Sequence, residues 1–508
     1  MKNNILIVVI YLLFCVLLFV CISEKQDFFI DEMFTYSLSN TEHQSLTVSD
    51  NKYYLSHDVY SAATEVNNSH RFDYSMVWNN QKNDVHPPLY YFFVHTISSF
   101  FPNTFSIWYA GMVNILFALL SLLSLRKLAL ELTQSEVFKN IVSLGFIFSS
   151  CILSMATFFR MYFMALFWIV TQSYLVIRTI DRDLERKDCI YIFMVTVLGA
   201  LTHYYCVLYT ILLSATLFIY FQHQNRKKEA KQYAVTVVAS AIVSIAIFPP
   251  MLHHIFGSYR ARESVENVFF FSGTIERLKT FWRIINVQLL GGLLLVVILA
   301  TIIIIAFSLM NKKRMDLDSY NKIIILLIPS ILYFIGIAKS AIFITDRYIA
   351  PVFGLFYVCT FALVYIFLSK HLSHRQVFCI MLILCLSVDI VGYRTCKWEY
   401  LYKDNVPLLS AEKKLKNTDL ICVYNVEWEL SALYMEANNF NRIAFTKECD
   451  GESIIKLIGN RNRIAIKILG KGKEESDIII SQINKHSDSL KKNRFLGKTA
   501  TGSAYYLY

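Results

Sequence analysis

Hydrophobic residues in this chain arrive in long blocks, each ended by a short polar or charged stretch. About 20 consecutive apolar residues, wound as a helix, match the hydrocarbon thickness of a bilayer. Eleven blocks reach or approach that length, near 4–22, 107–125, 140–156, 162–177, 190–202, 206–221, 233–252, 285–309, 323–338, 348–369 and 377–391. The stretch 291–310 carries no charge at all. Lys2 precedes the first block and no small-residue cleavage site follows it, so it reads as an uncleaved anchor. A further apolar stretch, 88–101, would span roughly 20 Å as a helix against about 30 Å of hydrocarbon. It is therefore placed in, or dipping into, the outer interface.

The connections give the blocks an orientation. Arg126 and Lys127, Arg182, Arg186 and Lys187, Arg226, Lys227 and Lys228, Lys312, Lys313 and Arg314, and Lys370 and Arg375 mark five basic loops. Basic loops stay on the cytoplasmic side. The alternate connections at 158–161, 202–205 and 339–347 carry fewer cations and face outward, and parity puts 253–283 with them. Eleven crossings then leave the N-terminus inside, a first outer loop over about 23–106, and the tail from about 394 outside. The expected class is a polytopic α-helical membrane protein with juxtamembrane helices in its first outer loop.

The tail has a different texture. Short β-like runs at 420–424, 442–445, 463–468 and 504–507 alternate with helical patterns at 427–437 and 474–486. Such alternation predicts a small α/β domain over 394–508, beside a membrane domain over 1–393. Gly470-Lys471-Gly472 lacks the rest of a phosphate-binding loop.

Composition sharpens this picture. Of 508 residues, 55% are hydrophobic and 17% charged, where soluble proteins carry roughly 25% charge. That excludes a disordered chain, a collagen-like repeat and an ordinary soluble enzyme. The net charge of +11 sits in the connecting loops, and no nucleic-acid-binding motif accompanies it. Eight of the 11 cysteines lie in or beside apolar blocks and read as small hydrophobes. Cys396, Cys422 and Cys449 lie in the tail, where two could pair in an oxidising compartment.

Three features can carry chemistry. Asp31-Glu32 stands just past the first block, at the outer membrane edge, where a carboxylate can accept a proton from an attacking hydroxyl. Alone, it is also an ordinary solvated turn. Asp84-Val85-His86-Pro87-Pro88 opens the 88–101 helix and sets His86 at its positive end. Arg160-Met161-Tyr162, Thr202-His203-Tyr204-Tyr205 and Asp346-Arg347-Tyr348 lie at outer ends of later blocks. Each pairs a cation with tyrosine, as interfacial anchors also do. Their convergence on one level points to an anion pocket for a lipid phosphate. The 253–283 loop, with His253, His254, Arg260, Arg262 and Arg277, could order over a substrate as a lid.

In this order, an apolar span, an acidic pair, a long outer loop, His-Pro-Pro-Leu, Arg-x-Tyr, His-Tyr-Tyr and a soluble tail, the chain resembles the GT-C membrane glycosyltransferases. Within them it looks most like the family-39-like group of bacterial relatives of protein O-mannosyltransferases and lipid A aminoarabinose transferases. The resemblance covers about 1–393. It implies transfer of a sugar, hexosyl or pentosyl, from a polyprenyl-phosphate carrier to an acceptor hydroxyl at the outer face of the cytoplasmic membrane, with inversion. The acceptor could be lipid, glycan or protein. The resemblance puts the catalytic acid at Asp31, with Glu32 beside it as tuner or acceptor contact. It puts carrier-phosphate contacts at His86, Arg160, Tyr162, His203, Tyr204 and Arg347, with Tyr348 adjacent. One departure stands out: Trp108-Tyr109 replace the Arg frequent at that span end. The motifs name no certain cofactor, and a divalent ion could meet Asp31, Glu32 and His86. Two rivals remain: a lipid-linked-oligosaccharide polymerase or ligase centred on 253–283, and a lipid-sugar flippase, which would place ionisable residues at span centres.

Overall fold

The structure, a computed structural model, describes residues 2–42, 46, 48–269, 272–310, 320–487 and 489–508. Lys312, Lys313 and Arg314 lie outside the described residues.

Every one of the eleven apolar blocks is helical. Among the described residues, seven helices are long and apolar enough to cross a membrane: Ile5–Ser23, Ile107–Thr133, Tyr204–His223, Lys227–Ile247, Asn321–Ser340, Ala350–Ser369 and His374–Thr395. Two blocks are bent pairs. Glu136–Phe148 and Ser150–Ala156 meet at 56°, and Thr274–Leu289 and Leu293–Ala300 at 100°. By length and composition the described residues hold seven spans, or up to nine if each bent pair is one span. The other two blocks, Tyr162–Ile177 and Arg186–Ala200, have 16 and 15 residues, or about 22–24 Å of helix.

The sharper bend has a local cause. A π-helical turn over Ile284–Leu289 runs into Gly291 and Gly292, both at positive φ. A Cβ on Gly291 would sit 2.8 Å from the Val388 backbone of the last span. Glycine both permits that turn and lets the two segments touch.

The first loop folds into helices Ile30–Asn40, Ser56–Thr64, Tyr74–Asn83 and Leu89–Phe100. The last has 12 residues, too short to span, and follows Pro88 directly.

The tail's sheet has six strands: β1 (Tyr53–Leu55), β2 (Leu420–Val423), β3 (Arg442–Thr446), β4 (Ile464–Leu469), β5 (Asn493–Lys498) and β6 (Gly502–Leu507), in the order β1-β3-β2-β4-β6-β5. β2 runs parallel to β3 and β4, whereas β6 is antiparallel to β4 and β5. β1 comes from the first loop and pairs antiparallel with β3, Tyr53 facing Ala444. Alternate residues of a strand face opposite sides. Ile421, Val423, Ile464, Ile466 and Ile468 therefore pack under helices Gly451–Ile458 and Lys473–His486, while Leu420, Cys422, Ile443, Phe445 and Ala465 join the core of the membrane part. Lys467 lies on that second face, fully buried, with its ammonium on Glu412 (2.7 Å) and Glu436.

Candidate active site

Asp31 and Glu32 open helix Ile30–Asn40, and their environments differ sharply. Glu32 reaches back to accept from the Phe29 N–H (2.7 Å), closing the helix start. Its other oxygen accepts from the Phe159 N–H (2.8 Å). Lys25 Nζ pairs with it at 2.9 Å and donates also to the Tyr400 carbonyl (2.7 Å). Both side chains are essentially inaccessible. Burial pulls the Lys25 ammonium below its ordinary range and pushes the Glu32 carboxyl above its own, while their mutual attraction opposes both shifts.

Asp31, one residue earlier, keeps 29% of its side chain exposed and pairs with Arg347 Nη1 at 2.7 Å. Arg347 is 8% exposed and lies among the rings of Phe29, Phe158 and Tyr348, 5.0–5.4 Å from each centroid. Its Nε has no partner. Arg160, also buried, donates through Nη1 to the Asp31 carbonyl (3.1 Å), Thr35 Oγ1 (3.2 Å) and Tyr91 Oη (2.9 Å), and its Nε too is unpartnered. Two buried guanidinium N–H groups therefore lack acceptors, an expensive arrangement unless an anion arrives.

Asn114 fixes the segment that carries Arg160. Its amide donates to the carbonyls of Ala156 (2.9 Å) and Phe158 (2.8 Å) and accepts from Tyr90 Oη (3.0 Å).

Histidines complete the cluster. His86 Nδ1 meets Asp84 Oδ2 at 2.8 Å. Burial alone would raise the Asp84 carboxyl, but His86 and Arg160 outweigh it and hold Asp84 below its ordinary range. The rings of His86 and His203 stand 5.8 Å apart. His203 caps helix Tyr204–His223, its Nδ1 accepting from the Tyr205 N–H (3.0 Å). Burial, then the nearby His86 and Arg160 charges, drive His203 well below its ordinary range. It is thus neutral, with Nδ1 the acceptor and Nε2 the donor. Tyr162 lies beside His203 (5.2 Å between centroids), Tyr205 (6.5 Å) and Tyr348 (6.2 Å).

No family model and no curated protein matches this sequence. Among solved structures, ArnT from Cupriavidus metallidurans bound to undecaprenyl phosphate is similar over 98% of this chain and 97% of its own, with TM-score 0.54 and 12% identity. Its apo state is similar over 100% and 98%, with TM-score 0.54 and 11% identity. The oligosaccharyltransferase AglB from Archaeoglobus fulgidus, in complex with an inhibitory peptide and a dolichol-phosphate, is similar over 89% and 69%, with TM-score 0.45. This chain has the GT-C fold.

Contacts link Asp31, His86, Arg160, Tyr162, His203, Arg347 and Tyr348 into one cluster, called the chamber below. Two residues fall elsewhere. Glu32 faces the Lys25 seam and offers no surface to an acceptor. Tyr204 points away, its hydroxyl on His254 Nδ1 (2.7 Å), and Tyr205 occupies the chamber in its stead. Successive helical residues diverge by about 100°, so a Tyr-Tyr motif cannot say which one faces in. Thr35 and Tyr91 were also missed, although Tyr91 sits in the Pro-Pro-Leu-Tyr-Tyr run. Among the described residues no group of three or more His, Cys, Asp and Glu could hold a metal ion. The 253–283 loop is folded as helices Tyr259–Phe269 and Thr274–Arg283, with Arg260 on Glu263 (3.0 Å) and Arg277 on the carbonyls of Lys339 and Ile342.

Proposed function

We propose that the protein is a glycosyltransferase that moves a sugar from a polyprenyl-phosphate donor to an acceptor hydroxyl at the outer face of the cytoplasmic membrane, with inversion. In this reading the N-terminus is cytoplasmic, and residues 394–508 form an outer domain over the catalytic part, 1–393. The observation that carries it is the 2.7 Å pairing of a part-exposed Asp31 with Arg347, beside a second buried guanidinium.

The chemistry follows from those groups. The acceptor hydroxyl approaches Asp31, which takes its proton as the oxygen attacks the anomeric carbon. The bond to the phosphate breaks on the opposite face of the sugar. The phosphate leaves as an anion and needs charge and donors rather than a proton. Arg160, Arg347 and the His203 Nε2–H supply them, the unpartnered Nε groups foremost, with Tyr162 and Tyr348 flanking. Asp84 orients His86 for the same anion. Fixing a lipid carrier in a membrane groove removes much of the orientational cost. ArnT, whose fold this chain shares, binds undecaprenyl phosphate. The test compares surface glycolipids and glycoproteins by mass spectrometry in cells with and without the protein. One defined glycan mass should disappear with it. Unchanged glycans with a displaced carrier would favour a flippase.

A further inference from the structure

A strap of chain leaves the last span and crosses directly beneath the Asp31–Arg347 pair. It starts at Cys396, whose N–H closes helix His374–Thr395 on the Gly392 carbonyl (2.8 Å). Trp398 and Tyr402 both adopt φ near +50°, a conformation that side chains other than glycine resist. Between them Tyr400 stacks on Phe158 at 4.3 Å, and its hydroxyl donates to Asp346, the neighbour of Arg347. Its carbonyl accepts from Lys25, and the Leu401 carbonyl accepts from the Gln26 N–H (2.9 Å). Downstream, Asn405 holds Asp27 (2.8 Å). A strained segment persists only where its surroundings over-determine it, so its upstream end also needs an anchor.

That anchor is Cys151. It lies in helix Ser150–Ala156, the second half of a bent span. Cys396 Sγ stands 3.8 Å from the carbonyl of Ser150, the residue next to Cys151, and each thiol shifts the other's acidity, which places the two free cysteines side by side. Gly392 makes the approach feasible, since a Cβ there would come within 2.9 Å of Ser150 Oγ. We propose that Cys151 and Cys396 form a disulfide that staples the strap to the bent span and so fixes Tyr400 and Asp346 under Arg347.

Cys396 is the part-exposed partner, and its contact with Cys151 draws its thiol below the ordinary range. Its thiolate attacks a protein disulfide of the extracytoplasmic thiol-oxidase class, giving a mixed disulfide. Cys151 then displaces the oxidase sulfur. Two protons and two electrons leave the pair, and the oxidase disulfide becomes a dithiol. The oxidising compartment rests on the outward placement in our functional reading; the contact between the thiols does not. The bond would join chain positions far apart in sequence, where a crosslink restrains the unfolded state most.

The test uses the full chain in its native membrane, alkylated under acid quench and digested without reductant. A peptide linked through Cys151 and Cys396 is expected, with neither residue alkylated until reductant is added. In C151S, Cys396 should become fully alkylated, and reductant should lower the melting temperature of the wild type but not of the C151S/C396S double variant. Alkylation of both cysteines without reductant, or a link from Cys396 to Cys422 or Cys449, overturns the proposal. A parallel Glu474→Cys variant, probed in intact cells with a membrane-impermeant maleimide, reports sidedness separately. Labelling at 474 with reduced Cys151 and Cys396 rejects the disulfide alone, whereas no labelling at 474 rejects the outward placement.

Discussion

Two clusters of charge face each other across the first loop. In the chamber, Asp31 is part-exposed beside the buried Arg160 and Arg347, and buried N–H groups are left without acceptors. In the seam between the membrane part and the sheet, Lys25 meets Glu32, while Lys467 meets Glu412 and Glu436 with Asp27 nearby. The seam pairs its own opposite charges, although Glu412 Oε2 and Glu436 Oε1 accept no hydrogen bond. The chamber leaves guanidinium N–H groups of Arg160 and Arg347 unpaired, the feature on which the proposed phosphate site rests. Adjacent acids, Asp31 and Glu32, therefore differ in setting: one is part-exposed on Arg347 and is the proposed base, the other is buried on Lys25 and holds the helix start.

The largest contrast should come from removing one partner in each cluster. Lys25→Ala leaves Glu32 uncompensated in a dry site and should cost about 3–5 kcal/mol of stability, read by denaturation in detergent. Arg160→Ala should leave folding nearly intact yet slow transfer by about 10²–10³-fold, because it removes a donor to the leaving phosphate. Equal losses of stability in both variants would erase the distinction between seam and chamber.

The clusters should also differ in the sign of their pH dependence. Burial, and then the Glu436 charge, push Asp27 up to about 7; burial pushes Glu412 to about 7. A carboxyl raised on folding stabilises below its unfolded pKa and loses that contribution as pH rises through its folded value. His203 is lowered on folding, so its contribution is present above about 6.5 and fades as pH falls. Melting temperature should therefore decline on both flanks. Asp27→Asn should flatten the alkaline flank, and His203→Gln the acid one. Exchanged effects would mean the burial of the two groups has been misassigned. The smallest effect separates neighbours: Tyr205→Phe should weaken carrier-phosphate binding more than Tyr204→Phe, measured with undecaprenyl phosphate.

Much of this was legible in the chain. Charge-free blocks announced the spans, and cations between them gave an orientation to test. Asp31, His86, Arg160, His203 and Arg347 were picked out because separate segments deliver them to one outer level in the order seen in GT-C enzymes. What escaped notice depends on direction or on distance along the chain. Glu32 and Tyr204 sit one residue from chamber groups, where only helix phase decides which side chain turns in. β1 is three residues long and pairs with a strand nearly 400 positions away, so no local pattern marks it. β5, over Asn493–Lys498, is a polar edge strand without alternation. The course of the strap at 396–402 is set by backbone angles at Trp398 and Tyr402 and by contacts to Phe158, Lys25 and Asp346, all distant in the chain.

The account rests on Asp31 acting as the base. The most direct measurement is the glycan mass profile of cells carrying Asp31→Asn in place of the wild type, with the variant shown to be folded and present in the membrane. Loss of the same glycan that disappears when the protein is removed is the predicted result. A profile matching the wild type would contradict it.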